Sequence, residues 1–213
     1  NKGYTNAQRS DWRRENVNTL IRELKRTILL TKPWVRFGIS PFGIYRNKKS
    51  TPDGSGSDTN GLQNYDDLYA DILHWVKEGW IDYNMPQIYW EIDHPAADYI
   101  TLIQWWNKNA TLEGPHLYIG QDVARTMKAS QLTRKMRYER ALSKVKGNCF
   151  WPANELLWNN KGVADSLKRN YHRYPALIPA YTHMHNRAPQ EVKNLKKEWT
   201  ADGYMLHWKA EQS

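Results

Sequence analysis

Apolar side chains recur at helical spacing from the start of the chain. Val17, Leu20, Ile21, Leu24 and Ile28 fall on one face and Pro33 follows as a stop, which predicts an amphipathic helix over residues 11–31. The pattern then shortens. Residues 35–41 form a brief run of β-formers closed by Pro41 and predict a strand with small residues on one face. A Gly/Ser/Asp-rich loop over 47–61 follows it.

Leu68, Ile72, Trp75 and Val76 mark a second helix, with Asp66 and Asp67 suited to the positive end of its dipole and Gly79 as C-cap. A second strand is expected over 81–90. A helix carrying Tyr99, Leu102, Ile103 and Trp106 comes next, with Pro95 in its first turn. Residues 117–123 give a third strand. Ser130 is placed to cap a helix carrying Leu132, Met136, Leu142 and Val145, which Gly147 ends before a fourth strand over 148–153. A short helix surrounds Val163 and Leu167.

Strands and helices thus alternate, the signature of a parallel sheet in an α/β protein. A complete (β/α)8 TIM barrel needs about 250 residues, so these strand–helix units are expected to form half of one, over residues 1–187. Half a barrel has two open edges. Their backbone groups predict cover from a second copy of the chain, an upstream segment or a rearranged sheet.

Composition narrows the picture further. With 40% hydrophobic residues in 213, the chain can bury a substantial core. Cys149 is the one cysteine, which excludes an intrachain disulfide and a thiolate metal cluster; its place in Cys149-Phe150-Trp151 predicts a small buried hydrophobe. No apolar run reaches the roughly 18 residues of a membrane span. The net charge of +9 raises an anionic partner, but the cations are scattered along helices (Arg22, Lys25, Arg26; Arg134, Lys135, Arg137), so nucleic acid is not expected. Rings with a polar handle dominate, 11 Trp and 13 Tyr against 3 Phe, and such rings suit a wet cleft where they stack on sugars.

The phrases Phe37-Gly38-Ile39-Ser40-Pro41-Phe42-Gly43-Ile44-Tyr45-Arg46-Asn47, Tyr65-Asp66-Asp67-Leu68-Tyr69-Ala70-Asp71, Gly79-Trp80-Ile81-Asp82-Tyr83 and Pro86-Gln87-Ile88-Tyr89-Trp90 stand in order along the chain. Together they resemble the bacterial glycosyl-hydrolase-like family ten. The resemblance implies a (β/α)8 barrel whose strands five to eight are the four here, in proteins often exported or lipid-anchored. It implies a periplasmic, cell-envelope or extracellular setting and a polysaccharide substrate, with peptidoglycan glycan strands cleaved in at least one branch. It also places an acidic catalytic cluster after strand four, upstream of Asn1. The segment from 188 onward, with β runs around Leu195 and Met205 joined at Asp202-Gly203, resembles the opening of a fibronectin type III domain with a buried Trp on its second strand.

Barrel active sites gather at the C-terminal ends of the strands, which selects the candidates. Gln87, Tyr89 and Glu91 share one face of the second strand. Glu91, at its tip beside Trp90, is the best acid, able to protonate a glycosidic oxygen, act as nucleophile or hold a sugar hydroxyl; the bland alternative is a solvated or capping glutamate. Glu155, after the fourth strand, is the candidate second carboxylate, although the upstream acid is preferred for that role. Gln87 binds substrate or ties strands together. Ser40 and Arg46 follow the first strand, and Arg46 grips an anionic sugar substituent or orders its own loop. Gln121 ends the third strand and Asn154 the fourth, while Trp151 stacks on sugar or fills the core. Asp93 and His94 read as caps. No cofactor or metal is expected: among His172, His183, His185 and His207, the His183-Met184-His185 run lies in a loop without a nearby acidic partner.

Overall fold

The computed structural model describes Gly3, residues 5–181 and residues 191–209, and the chain divides into two units, 1–181 and 182–213. In the first unit α1 (Arg9–Thr31) forms over the expected stretch, but its buried face is Asn18, Ile21 and Lys25. Leu20 and Leu24, expected on the apolar face, are exposed because Asn18 and Lys25 turn inward to bond Trp75 and Asp82. Four parallel strands follow in the order β1-β2-β3-β4: Gly38–Ile39, Tyr83–Asn84, His116–Asp122 and Val145–Trp151. This is a mixed α/β unit whose sheet is compatible with part of an α/β barrel. β1 and β2 are shorter than the sequence pattern suggests. Beyond Asn84 the second strand continues only at Gln87, which bridges to Phe42 on one side and to Gly120 on the other, because Pro86 has no N–H to give to a ladder.

Helices cover one face of the sheet. α2 (Ile72–Lys77), α3 (Tyr99–Asn109), α4 (Val123–Lys128), α5 (Leu132–Arg140), α6 (Ala153–Leu157) and α7 (Val163–Ser166) complete the unit. Ile72, Trp75, Leu102, Ile103 and Trp106 meet Ile81, Ile88, Leu117 and Ile119 in the main core, and Val123, Leu132, Met136, Val163 and Leu167 form a smaller one. On β3, Leu117, Ile119 and Gln121 face the helices, so alternation sends Tyr118, Gly120 and Asp122 to the other face. There the Tyr83 and Tyr118 rings meet edge to face at 5.9 Å, and Gly38 lies where a Cβ would be 2.2 Å from the Tyr83 ring. Only glycine fits at that crossing.

Helix ends depart from the sequence reading for local reasons. α2 starts at Ile72, because Asp71 rather than Asp66 or Asp67 accepts the cap bond, from the His74 N–H at 3.2 Å. Asp66 is committed to Arg46 and Asp67 to the Gln63 N–H. Likewise α3 is capped by Asp98, which leaves Pro95 outside it. The helix expected from Ser130 to Gly147 is shorter. Ser130, at φ 55, links α4 to α5; α5 ends at Arg140, and Gly147 lies inside β4.

The second unit, taken by itself, is an antiparallel hairpin of β5 (Lys193–Thr200) and β6 (Gly203–Lys209), with Trp199 and Tyr204 rings 4.2 Å apart. Trp208 on β6 is exposed, which corrects the expectation of a buried Trp on the second strand of a fibronectin type III opening. His183, His185 and the Ala188-Pro189 start of that segment lie outside the described residues.

Candidate active site

At the C-terminal ends of the strands the structure brings some candidates together and separates others. The Gln87 amide donates to the Ser40 carbonyl at 2.9 Å and lies 3.3 Å from its hydroxyl, joining the ends of the first two strands. Arg46 forms a fork on Asp66, at 2.8 and 3.0 Å, and donates to the Ser50 carbonyl at 2.9 Å. Its guanidinium also stacks 4.6 Å from the Tyr65 ring, so most of its donors order the 47–66 loop.

Tyr89, Asp122 and Cys149 gather beyond Gln87. Burial first, then the neighbouring Cys149 and Asp122, raise the Tyr89 phenol above its usual value. Cys149 is exposed, which corrects the buried-hydrophobe expectation: Asn148 and Phe150 are the β4 residues facing the helices, and alternation turns Cys149 the other way. Trp151 is turned the same way and is 58% exposed, so it does not fill the core.

Glu91 follows on a tightly held segment. Trp90 packs half-buried against Gly43 and the core, and the Glu91 carbonyl accepts the Tyr99 N–H at 3.3 Å. Among the described residues nothing hydrogen-bonds the Glu91 carboxylate; its charge, with those of Glu139 and Asp122, is felt by Lys135. The carboxylate stays available for a ligand. Glu155 differs. It lies in the first turn of α6, accepts a hydrogen bond from Asn160, and has the exposed Trp158 on the same short helix's end. Asn154 is half-buried one residue earlier, with its carbonyl bonded to the Trp158 N–H at 2.9 Å.

Gln121 is fully buried on the helix-facing side and gives its amide to Glu139 at 2.6 Å and Asn148 at 2.8 Å. The open face therefore receives Asp122, not Gln121, and Asp122 also caps α4 through the Arg125 N–H at 2.8 Å. Gln121 belongs instead to a buried polar cluster that sequence reasoning missed. Tyr99 donates to Glu139 from α3, while Lys135 lies 4.2 Å from the Tyr99 ring and donates to Thr126 at 3.0 Å. Burial raises the Glu139 carboxyl to about 7, against the opposing pull of the Tyr99, Asn148 and Gln121 side chains and the charge of Lys135. Burial also lowers Lys135 to about 8, against the attraction of Glu91, Glu139 and Asp122. The signal was available: Leu132, Lys135, Met136 and Glu139 stand at i, i+3, i+4 and i+7, one helical face.

An unpartnered carboxylate at the C-terminal end of a parallel sheet, on a fixed backbone, is a geometry that acid chemistry uses. The sequence profile described as glycosyl hydrolase-like 10 matches residues 2–137. The chain belongs to that family. Glycosyl hydrolase YngK of Bacillus subtilis (strain 168) is 40% identical over an alignment of 207 residues that covers 93% of this chain and 40% of that protein. Glycosyl hydrolase DigH of Escherichia coli (strain K12) is 45% identical over 114 residues, 54% of this chain and 26% of that protein. The chain spans less than half the length of these relatives. Membership agrees with the resemblance carried by the four quoted phrases and points to a glycosidase-like function. The family profile ends at residue 137, ahead of β5 and β6, and lends nothing to a fibronectin type III reading of them.

Proposed function

We propose that this chain is part of a glycosidase acting on a bacterial polysaccharide, with peptidoglycan glycan strands as the favoured substrate. On this reading the four strands are strands five to eight of a (β/α)8 barrel, working in the cell envelope or outside the cell. Its partner is the polysaccharide, and a second copy of the chain is one cover for the edges of β1 and β4. Glu91 is the acid: its proton passes to the glycosidic oxygen as the C–O bond breaks, and water completes the hydrolysis at the anomeric carbon. Glu155 is the second carboxylate this chain offers; the relatives extend well beyond the shared stretch, and an acid there is the alternative. Ser40, Gln87, Tyr89, Trp90, Asn154 and Trp151 line the approach, with Arg46 and Gln121 supporting it from behind. The observation that carries the reading is the Glu91 carboxylate, without a hydrogen-bond partner among the described residues at the sheet's C-terminal end, in a chain of this family.

A second reading is a noncatalytic carbohydrate-binding barrel, favoured by Trp151 and Trp158, 58% and 74% exposed near β4's end. Digestion of peptide-free glycan strands and a polysaccharide panel separates the two, using the protein at its full encoded length beside Glu91→Gln and Glu155→Gln. The expected outcome is cleavage that falls about 100-fold or more in Glu91→Gln, the usual scale for losing a general acid. Glycan binding without any cleavage would replace the hydrolase reading with the binding module.

A further inference from the structure

The segment that carries Glu91 is held at every residue from 90 to 93. Lys135 on α5 donates to the Trp90 carbonyl at 2.8 Å. The Tyr99 N–H on α3 reaches the Glu91 carbonyl at 3.3 Å. Gln131, the residue that caps α5, takes both backbone groups of Ile92: its side-chain oxygen accepts the Ile92 N–H at 2.7 Å and its amide donates to the Ile92 carbonyl at 3.2 Å. Asp98, the cap of α3, accepts the Asp93 N–H at 2.6 Å, and Asp93 sits at φ 68. Two helix starts therefore grip one turn from both sides. A left-handed residue such as Asp93 persists only where its surroundings over-determine it, and here they do.

This grip is more than a loop needs in order to stay folded. The Gln131 amide thus holds the N–H of the peptide plane that follows Glu91 and the carbonyl of the next plane, so Ile92 is gripped on both sides, and the first of those planes joins it to Glu91. Lys135 acts on the peptide plane that precedes Glu91. Between them the Cα–Cβ direction of Glu91 is set while its side chain remains untethered. We infer that Gln131 and Lys135 of α5 are positioning residues for Glu91, holding its carboxyl at the sheet's C-terminal end for proton transfer. The inference rests on the reading of Glu91 as the acid. Misplacing a reacting group by about 1 Å can cost on the order of 100-fold in rate, so a residue that never touches substrate can govern turnover.

Gln131→Met removes both Ile92 bonds at similar volume, and Gln131→Glu keeps the shorter one. On glycan strands, Gln131→Met is expected to lower kcat about 10-fold or more with little change in KM, while Gln131→Glu recovers most of it. Lys135→Met should act in the same sense, but it also strips Glu139 of its countercharge, so Gln131 is the deciding position. The second arm adds Gln131→Met to Glu91→Gln. A residue that works through Glu91 has nothing left to lose, so the double variant should turn over as slowly as Glu91→Gln alone. A further loss of the same size as the single effect would overturn the positioning role and leave Gln131 structural. Amide hydrogen exchange at Ile92 keeps the outcomes apart. Faster exchange in Gln131→Met together with full activity in Glu91→Gln, or no turnover by the wild-type protein at its full encoded length, shows a real clamp on a residue that is not the acid, and both the positioning role and the Glu91 reading fall. Unchanged exchange and unchanged kcat in Gln131→Met, beside an inactive Glu91→Gln, overturn only the inference made here.

Discussion

Two buried ionic sites in the first unit use similar residues to different ends. At the N-terminal end of the sheet Lys25 of α1 reaches both oxygens of the fully buried Asp82, at 2.7 and 2.8 Å, and the Phe37 N–H donates to the same carboxylate at 2.7 Å. Behind β3 and β4, Glu139 takes Tyr99 and Gln121 on one oxygen and leaves the other, Oε2, without a hydrogen-bond partner among the described residues, as is Gln121 Oε1. Full pairing offsets the desolvation of two charges and makes the first site a structural tie between α1, β1 and β2. Partial pairing leaves the second close to neutrality, with acid and amine pulled toward each other on the pH scale.

The largest effect should come from breaking the complete pair. Lys25→Met leaves the Asp82 carboxylate buried without its countercharge, and removing one partner of such a pair costs about 3–5 kcal/mol. Urea unfolding of the variant should show a loss of that size, and a loss below about 1 kcal/mol would mean that Asp82 finds enough compensation elsewhere. Replacing both partners, Lys25→Met with Asp82→Asn, should recover part of the loss because the orphaned charge is gone.

The Glu139 site should show itself in pH dependence instead. Its carboxyl rises from the ordinary 4.5 to about 7, so between those pH values the folded chain binds more protons than the unfolded one. Stability then falls as pH rises through that window, by on the order of 3 kcal/mol at about 1.4 kcal/mol per pH unit. Glu139→Gln should flatten that slope in urea unfolding across pH 4.5 to 7, leaving the variant at least as stable as the wild type above it. Lys135 works in the opposite sense in a separate window: lowered from 10.5 to about 8, it returns stability as pH rises between those values. A wild-type slope that survives in Glu139→Gln would assign it to another group.

The difference between the sites also marks what the sequence could disclose. α1 was legible because 23 residues of steady periodicity outweigh local detail, and β3 because an apolar run between turns has few other destinations. Family membership was legible in long phrases such as Pro86-Gln87-Ile88-Tyr89-Trp90. Helix starts were not, since Asp66, Asp67, Asp71 and Asp98 are equivalent cap residues until tertiary contacts claim some of them, as Arg46 claims Asp66. The Glu139 cluster was missed because charged residues on α5 read as a solvated face, whereas tertiary packing buries Lys135 and Glu139 beside Met136. At the candidate site, Glu91 was found from its place at a strand tip, but Gln131 was invisible: its partner Ile92 lies 39 residues away and is bonded through the backbone, which leaves no trace in side-chain pattern.

The smallest effect belongs to Asp98, which joins the two themes. It is depressed below the usual carboxylate range although burial alone would raise it, because the N–H groups of Thr101, Asp93 and Ile100 and the Thr101 hydroxyl all favour the charged form. A depressed carboxyl stabilises the fold above its unfolded value and loses that contribution as pH falls through the folded one, the reverse of Glu139. Asp98→Asn keeps a competent cap and removes the charge, so it should soften the acid limb of stability while changing neutral-pH stability little. Asp98→Ala removes the cap as well and should cost on the order of 1 kcal/mol at neutral pH. Because the same carboxylate holds the Asp93 N–H, the alanine variant should also speed amide exchange at Asp93 more than at residues within α3. Equal exchange at both places would mean that Asp98 serves α3 alone and that the grip on the Glu91 turn comes from α5.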